Sequence, residues 1–121
     1  MANTSTRRFS RVLLALPFIL GGMEAVRDPG PRVEEVKATG VPIPEAAVRV
    51  NGIVMVAAGI ALAFARLPKR AATILSLVLL PTTLAGHAFW RESSPQKRAG
   101  QLTHFIKNLA MIGGLLSVRN G

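Results

Sequence analysis

The stretch His104–Leu116, HFIKNLAMIGGLL, decides the fold: it is apolar enough to be buried in lipid, yet it carries a histidine, a lysine and an asparagine near its start. A charge inside hydrocarbon costs roughly 2.5 to 3.5 kcal/mol on insertion scales, so ionisable residues there usually face protein or water and are candidates for function. At 100° per residue, His104, Lys107, Asn108 and Met111 fall within about 100° of one another, while Phe105, Ile106, Leu109, Ile112 and Leu116 take the other side. The pattern predicts a spanning helix with a lipid face and a working face.

Composition extends this reading to the whole chain. Its 121 residues are 50% hydrophobic, with six acids against fifteen Lys plus Arg and a net charge of +9. A soluble core of this size would need more polar surface. Lys and Arg stand in short blocks between apolar runs rather than over one solvated face, which argues against nucleic acid and assigns the basicity to membrane topology. With no cysteine in the sequence, the chain can form no disulfide, thiolate nucleophile or Cys-ligated metal or haem site.

Four apolar segments, at about residues 9–26, 48–65, 71–89 and 102–118, predict an all-α membrane protein, an antiparallel four-transmembrane-helix bundle forming one domain over residues 1–121. The first segment is short and follows Arg7, Arg8 and Arg11, so a signal peptide is its rival; Gly22-Met23-Glu24 then puts a carboxylate where a cleavage site needs a small residue. The outer loop, 27–47, is polar and proline-rich. Within it Val33 to Thr39 would make two turns of surface helix closed by Gly40, after which Val41-Pro42-Ile43-Pro44 should be extended. In the second span Gly52, Gly59 and Ala63 share a face that would let another helix, or a second copy of the chain, approach closely. In the third, Thr73, Ser76, Leu80, Thr83 and His87 form a row, Pro81 should kink the helix, and Trp90 suits a membrane interface.

Short connections force alternating directions, which places Glu24, Asn51, His87, His104, Lys107 and Asn108 at one membrane face. The opposite face holds Arg7, Arg8, Arg11, Arg66, Lys69, Arg70 and Arg119 with no acid. That asymmetry predicts a multi-pass protein of the plasma (inner) membrane with both termini in the cytoplasm and the polar cluster outside. The six cluster residues would line a pocket of mixed charge, in which a histidine passes protons to or from a polar head such as a quinone ring. A structural alternative stands beside it, in which Lys107 snorkels to the interface and pairs with Glu24 to hold two helices together. A metal held by His87, His104 and Glu24 has no HExxH-like spacing behind it, and no metal is assigned.

Arg11, the FILGG of Phe18–Gly22, Glu24, Gly40-Val41-Pro42, Asn51-Gly52, Gly59, Arg70, His87-Ala88-Phe89-Trp90 and above all Phe105-Ile106-Lys107-Asn108 with Gly113-Gly114-Leu115-Leu116 together resemble the DoxX family of small four-helix membrane proteins, actinobacterial members included. Many members carry an acid in the first part of the second helix, where this chain has Met55. The resemblance implies a membrane subunit supporting redox or oxidative-stress chemistry, either by binding quinone or by docking membrane or soluble oxidoreductases. It transfers no catalytic residue. Any sulfur chemistry would belong to a partner, since this chain lacks thiols. A non-catalytic scaffold and a small-molecule transporter are the competing classes, the latter requiring a polar path across the bilayer.

Overall fold

The computed structural model describes residues 3–121, and every regular element among them is helical. The first helix, α1 (Thr4–Arg27), starts well ahead of the apolar run because Asn3 caps it, its side-chain oxygen accepting the Thr6 N–H at 2.8 Å. Such a cap satisfies an orphan donor of the first turn and is invisible to hydropathy. A short helix, α2 (Gly30–Lys37), occupies the outer loop and closes near Gly40, whose φ of +78° is the left-handed conformation glycine adopts freely. Three long helices follow: α3 (Pro44–Ala63), α4 (Pro68–Gly86) and α5 (Pro95–Asn120), with a single 3-10 turn at Phe89–Arg91 before the last. Each begins with proline in its first turn, where the missing N–H costs nothing.

Three details differ from the expectations. The protein is all-helical, with the short α2 beside four long helices, and three of the long ones, α1, α3 and α4 with its following turn, are long and apolar enough to cross a membrane. The fourth, α5, is not among them because His104, Lys107 and Asn108 interrupt its apolar run; it also starts at Pro95 rather than near Leu102, with two polar turns ahead of that run. Second, α4 stops at Gly86, not Phe89, so His87 sits at the helix's C-cap with φ −127° and ψ 46°. Third, Ile43 is not extended but left-handed at φ 51°, and Leu67 repeats the device at φ 48°; both precede the first-turn proline of a helix. A proline disfavours the right-handed α region for its predecessor, and at these two reversals the chain takes the left-handed one, at a cost of about 1–3 kcal/mol each. Helix α4 runs on through Pro81.

The closest helix contact joins α1 to α3. A Cβ placed on Gly22 would lie 2.6 Å from the Gly52 carbonyl oxygen, and one on Gly59 would lie 2.9 Å from Ile19 Cγ1 and 3.5 Å from the Ala15 carbonyl oxygen. The glycine face read from the second span is therefore filled by α1 of the same molecule, in a register that runs in opposite directions along the two helices. Where lipid removes the hydrophobic drive between helices, such close backbone approach supplies the packing energy. The core then continues through Phe18, Leu62, Leu75, Leu79 and Leu115. Leu20, Ile53, Ile60, Leu77, Leu84 and Ile106 point outwards, as side chains meeting acyl chains do.

Candidate functional site

Helix α4 is the element on which the polar residues converge. Asn51 of α3 donates from Nδ2 to Thr82 Oγ1 at 3.2 Å, and Asn108 of α5 donates from Nδ2 to Thr83 Oγ1 at 2.9 Å. Both threonine hydroxyls also donate down their own helix, to the Val78 and Leu79 carbonyls, so each hydroxyl is used twice. Thr83 and Asn108 are buried. These four side chains satisfy one another and tie α3 and α5 to the turn after Pro81. Their chemistry is that of a lock.

One turn further out, the chain leaves the helix at His87 and a second cluster forms. Gln101 of α5 reaches across, its Nε2 3.3 Å from the Gly86 carbonyl oxygen and its Oε1 2.8 Å from His87 Nδ1. A carbonyl only accepts, so the Gln101 atom facing Gly86 is the NH₂, and the oxygen is left for the histidine. His87 Nδ1 therefore carries the proton, and Nε2 is the atom on which the ring gains a proton as it becomes cationic. The ring of His104, one turn along α5 from Gln101, stacks on His87 at a centroid distance of 5.1 Å and an interplanar angle of 24°. His104 also lines an outward groove of about 480 Å³ with Glu92, Lys97, Gly100 and Gln101. Below it, Phe105 packs edge-on against Phe89 and Trp90 and closes the α4–α5 end with aromatic surface.

Helix α2 covers this end from the other side, where it packs on α3 and α4. Its Glu35 carboxylate is crowded against the backbone at Gly86, where an added Cβ would lie 3.1 Å from Glu35 Oε2. Although the residue as a whole stays exposed, loss of water around the carboxyl raises its pKa, and the charges of His87 and Arg32 oppose that shift. Arg32 also reaches Glu24, at 3.7 Å.

The six residues read from the sequence thus separate. His87 and His104 meet; Asn51 and Asn108 are in the lock; Glu24 is paired to Arg32 on the outer helix; Lys107 is exposed and has no ion pair among the described residues. The expected Glu24–Lys107 pair does not form, because α1 packs along α3 and barely meets α5. Lys107 lies seven residues from Gly114, hence on nearly the same flank of α5, and Gly114 is the position against which Leu14 of α1 rests. At Lys107 that flank is uncovered. Gln101, Glu35, Arg32 and Thr82 escaped the sequence reading. Gln101 had a signal, since it stands three residues before His104 and so shares its face. Among the described residues no group of three or more His, Asp or Glu side chains is gathered closely enough to hold a metal ion. In the row of hydroxyls below Thr83, Thr73 and Ser76 donate to the Lys69 and Ala72 carbonyls of their own helix.

No curated protein and no solved structure matches the chain. The DoxX family model matches residues 8–88, from within the first turns of α1 to His87-Ala88 just past the end of α4, and leaves α5, with the string Phe105–Leu116, beyond the matched segment. Arg11, the Phe18–Gly22 stretch, Glu24, Gly40-Val41-Pro42, Asn51-Gly52, Gly59 and Arg70 all fall inside it. With two thirds of its length matched, this multi-pass helical membrane protein belongs to the DoxX family.

Proposed function

We propose that the chain is a four-span subunit of the plasma membrane, folded as one domain with both termini in the cytoplasm, and that its outer cap serves redox chemistry by exchanging protons with a quinone head. The observation that carries the proposal is the histidine pair: Gln101 orients His87 so that Nε2 is its proton-accepting atom, and His104 continues from it to the outer groove. A quinone gains or loses protons as it changes redox state, so an imidazole at the membrane boundary, with one nitrogen that donates and one that accepts, suits its head. Lys107 stands six residues, roughly 9 Å, below Gln101 along α5, and its unpaired ammonium would favour a reduced, anionic head entering from the bilayer.

Support for α5 as the fourth span is its register on α4. Gln101 is bonded at one end of α4, and Arg119 lies beside Lys69 and Arg70 at the other, so α5 accompanies α4 over its full length. Support for the orientation is charge pairing. All three ion pairs among the described residues lie at the outer end, which leaves Arg7, Arg8, Arg11, Arg66, Lys69, Arg70 and Arg119 unopposed at the end assigned to the cytoplasm.

The test is to replace His87 and His104 by Gln, separately and together, and to measure both membrane accumulation and quinone-dependent oxidoreductase activity in membrane vesicles. Normal accumulation with activity lost is expected. Activity that survives the double replacement would sink the proton-exchange role. A scaffold reading is favoured by one observation, the mutually satisfied Asn51–Thr82 and Asn108–Thr83 pairs. It predicts that Lys107→Met and Glu24→Gln leave partner activity in proportion to the amount of protein, whereas the quinone reading predicts that Lys107→Met alone lowers activity per molecule.

A further inference from the structure

The end of the molecule opposite the histidines carries a second concavity. A groove of about 430 Å³ opens between the start of α4 and the end of α5, lined by Lys69, Arg70, Thr73, Ile74 and Arg119. None of its three cations has an ion pair among the described residues. The Thr73 hydroxyl is turned back to the Lys69 carbonyl at 2.9 Å, so it does not neutralise them. Lys69 and Arg70 also stand in the first turn of α4, where the positive end of the helix disfavours cations, and Arg119 is brought in from α5 as a third. Three like charges around one groove repel one another, and an anion placed among them relieves all three.

The groove is not only basic. Ile74 is 42% exposed and Leu77, one turn deeper along α4, is 63% exposed. Positions 70, 74 and 77 share one face of the helix, so an apolar strip descends from the cations towards the middle of the membrane. A ligand that matches both features has a negatively charged head and a hydrocarbon chain on one side of it. The geometry points to an anionic phospholipid, with its phosphodiester held by Lys69, Arg70 and Arg119 and an acyl chain lying over Ile74 and Leu77. A soluble phosphate ester would use the cations and leave the strip bare. The proposal requires α4 to cross the bilayer; it does not depend on the redox reading of the other end.

The experiment uses the full chain purified in mild detergent, with native mass spectrometry to follow added phosphatidylglycerol or phosphatidylcholine. Each cation near an anionic headgroup contributes about fivefold to affinity, so Lys69→Gln, Arg70→Gln and Arg119→Gln combined should weaken phosphatidylglycerol retention roughly a hundredfold. A control removing the same charge from the same end, Arg7→Gln with Arg8→Gln and Arg66→Gln, should retain it nearly as well as the parent. Equal loss in both triple variants, or equal retention of phosphatidylcholine by the parent, would overturn the site. Displacement of the lipid by millimolar inorganic phosphate would overturn its lipid identity. Should the groove triple elute as misfolded protein, Arg119→Gln alone decides: a fivefold loss supports the site and an unchanged affinity refutes it.

Discussion

Replacing Gly52 with alanine tests the α1–α3 seam on which the fold rests. The new Cβ would lie 2.8 Å from the Gly22 carbonyl oxygen, 3.0 Å from Ala25 Cβ and 3.1 Å from Val26 Cγ2. Carbon and carbonyl oxygen approach to about 3.3 Å when helices touch closely, so the backbones must part by roughly 0.5 Å. A gap of that size forfeits a quarter or more of each dispersion contact across the seam, and overpacking of this kind costs about 1–3 kcal/mol. Alanine also gains up to about 1 kcal/mol of helix propensity over glycine, which would blur a single measurement. Gly113→Ala removes the ambiguity, because it has the same propensity gain and nothing lies within 4 Å of its added Cβ. The propensity terms cancel in the difference. Unfolding by SDS titration, followed by the fluorescence of Trp90, the single tryptophan, should therefore place Gly52→Ala about 1–3 kcal/mol below Gly113→Ala. Equal midpoints for the two variants would refute the seam and release the Gly52 face for contact with another molecule.

Three further outcomes follow from the polar groups. Asn108→Leu removes the donor to Thr83 but leaves that hydroxyl its bond to the Leu79 carbonyl, so the same titration should show a loss of about 0.6–1.7 kcal/mol, the range of interhelical hydrogen bonds in membranes. Gln101→Leu frees His87 Nδ1, and imidazole nitrogen NMR should show the Nδ1–H form losing its excess while the total helix content stays the same. Glu35 has a folded-state pKa raised by desolvation above its usual 4.5, so between those two values the folded state binds the extra proton. The sign follows: docking of α2 is favoured at low pH and weakens as pH rises through Glu35's titration. Amide protection factors in α2, corrected for the intrinsic rise of exchange with pH, should fall over that range in the parent and not in Glu35→Gln, which should be the more protected of the two at pH 7.

What could be read from the sequence was depth, and what could not was direction around each helix axis. Helices of alternating direction set the level of each residue along the helix axes, and His87 and His104, read to one level, do stack on each other. Glu24 and Lys107 share that level too. They remain apart because the Gly22–Gly52 and Ala15–Gly59 contacts commit α1 to α3, and no hydropathy pattern states which neighbour a glycine face will choose. Helix ends differ from the hydropathy boundaries for a related reason. Hydropathy reports how much of a helix suits lipid, whereas Asn3 and the Ser94-Pro95 start act through orphan N–H groups in water. The left-handed Ile43 and Leu67 escape for the opposite reason: a following proline biases its predecessor towards extended backbone, and the chain reversal into α3 and α4 overrides that local preference.

The lock and the histidine cap are mechanically one assembly. Thr82 and Thr83 are adjacent, so the side chains that bind α3 and α5 diverge from a single turn of α4, immediately after Pro81 has removed a backbone hydrogen bond. Their hydroxyls donate to the Val78 and Leu79 carbonyls on the far side of the proline, which holds together the turn that the proline weakens. His87 follows Thr83 by four residues, and its backbone N–H donates to the Thr83 carbonyl at 3.0 Å. On α5, likewise, Asn108 follows His104 by four residues. The bond from Asn108 to Thr83 therefore sets the spacing of α4 and α5 one turn below the point where His104 stacks on His87. Helix α1 has no part in this chain of contacts. The candidate site is a property of α4 and α5 with α2 as its cover, and the acid of α1 belongs to the rim.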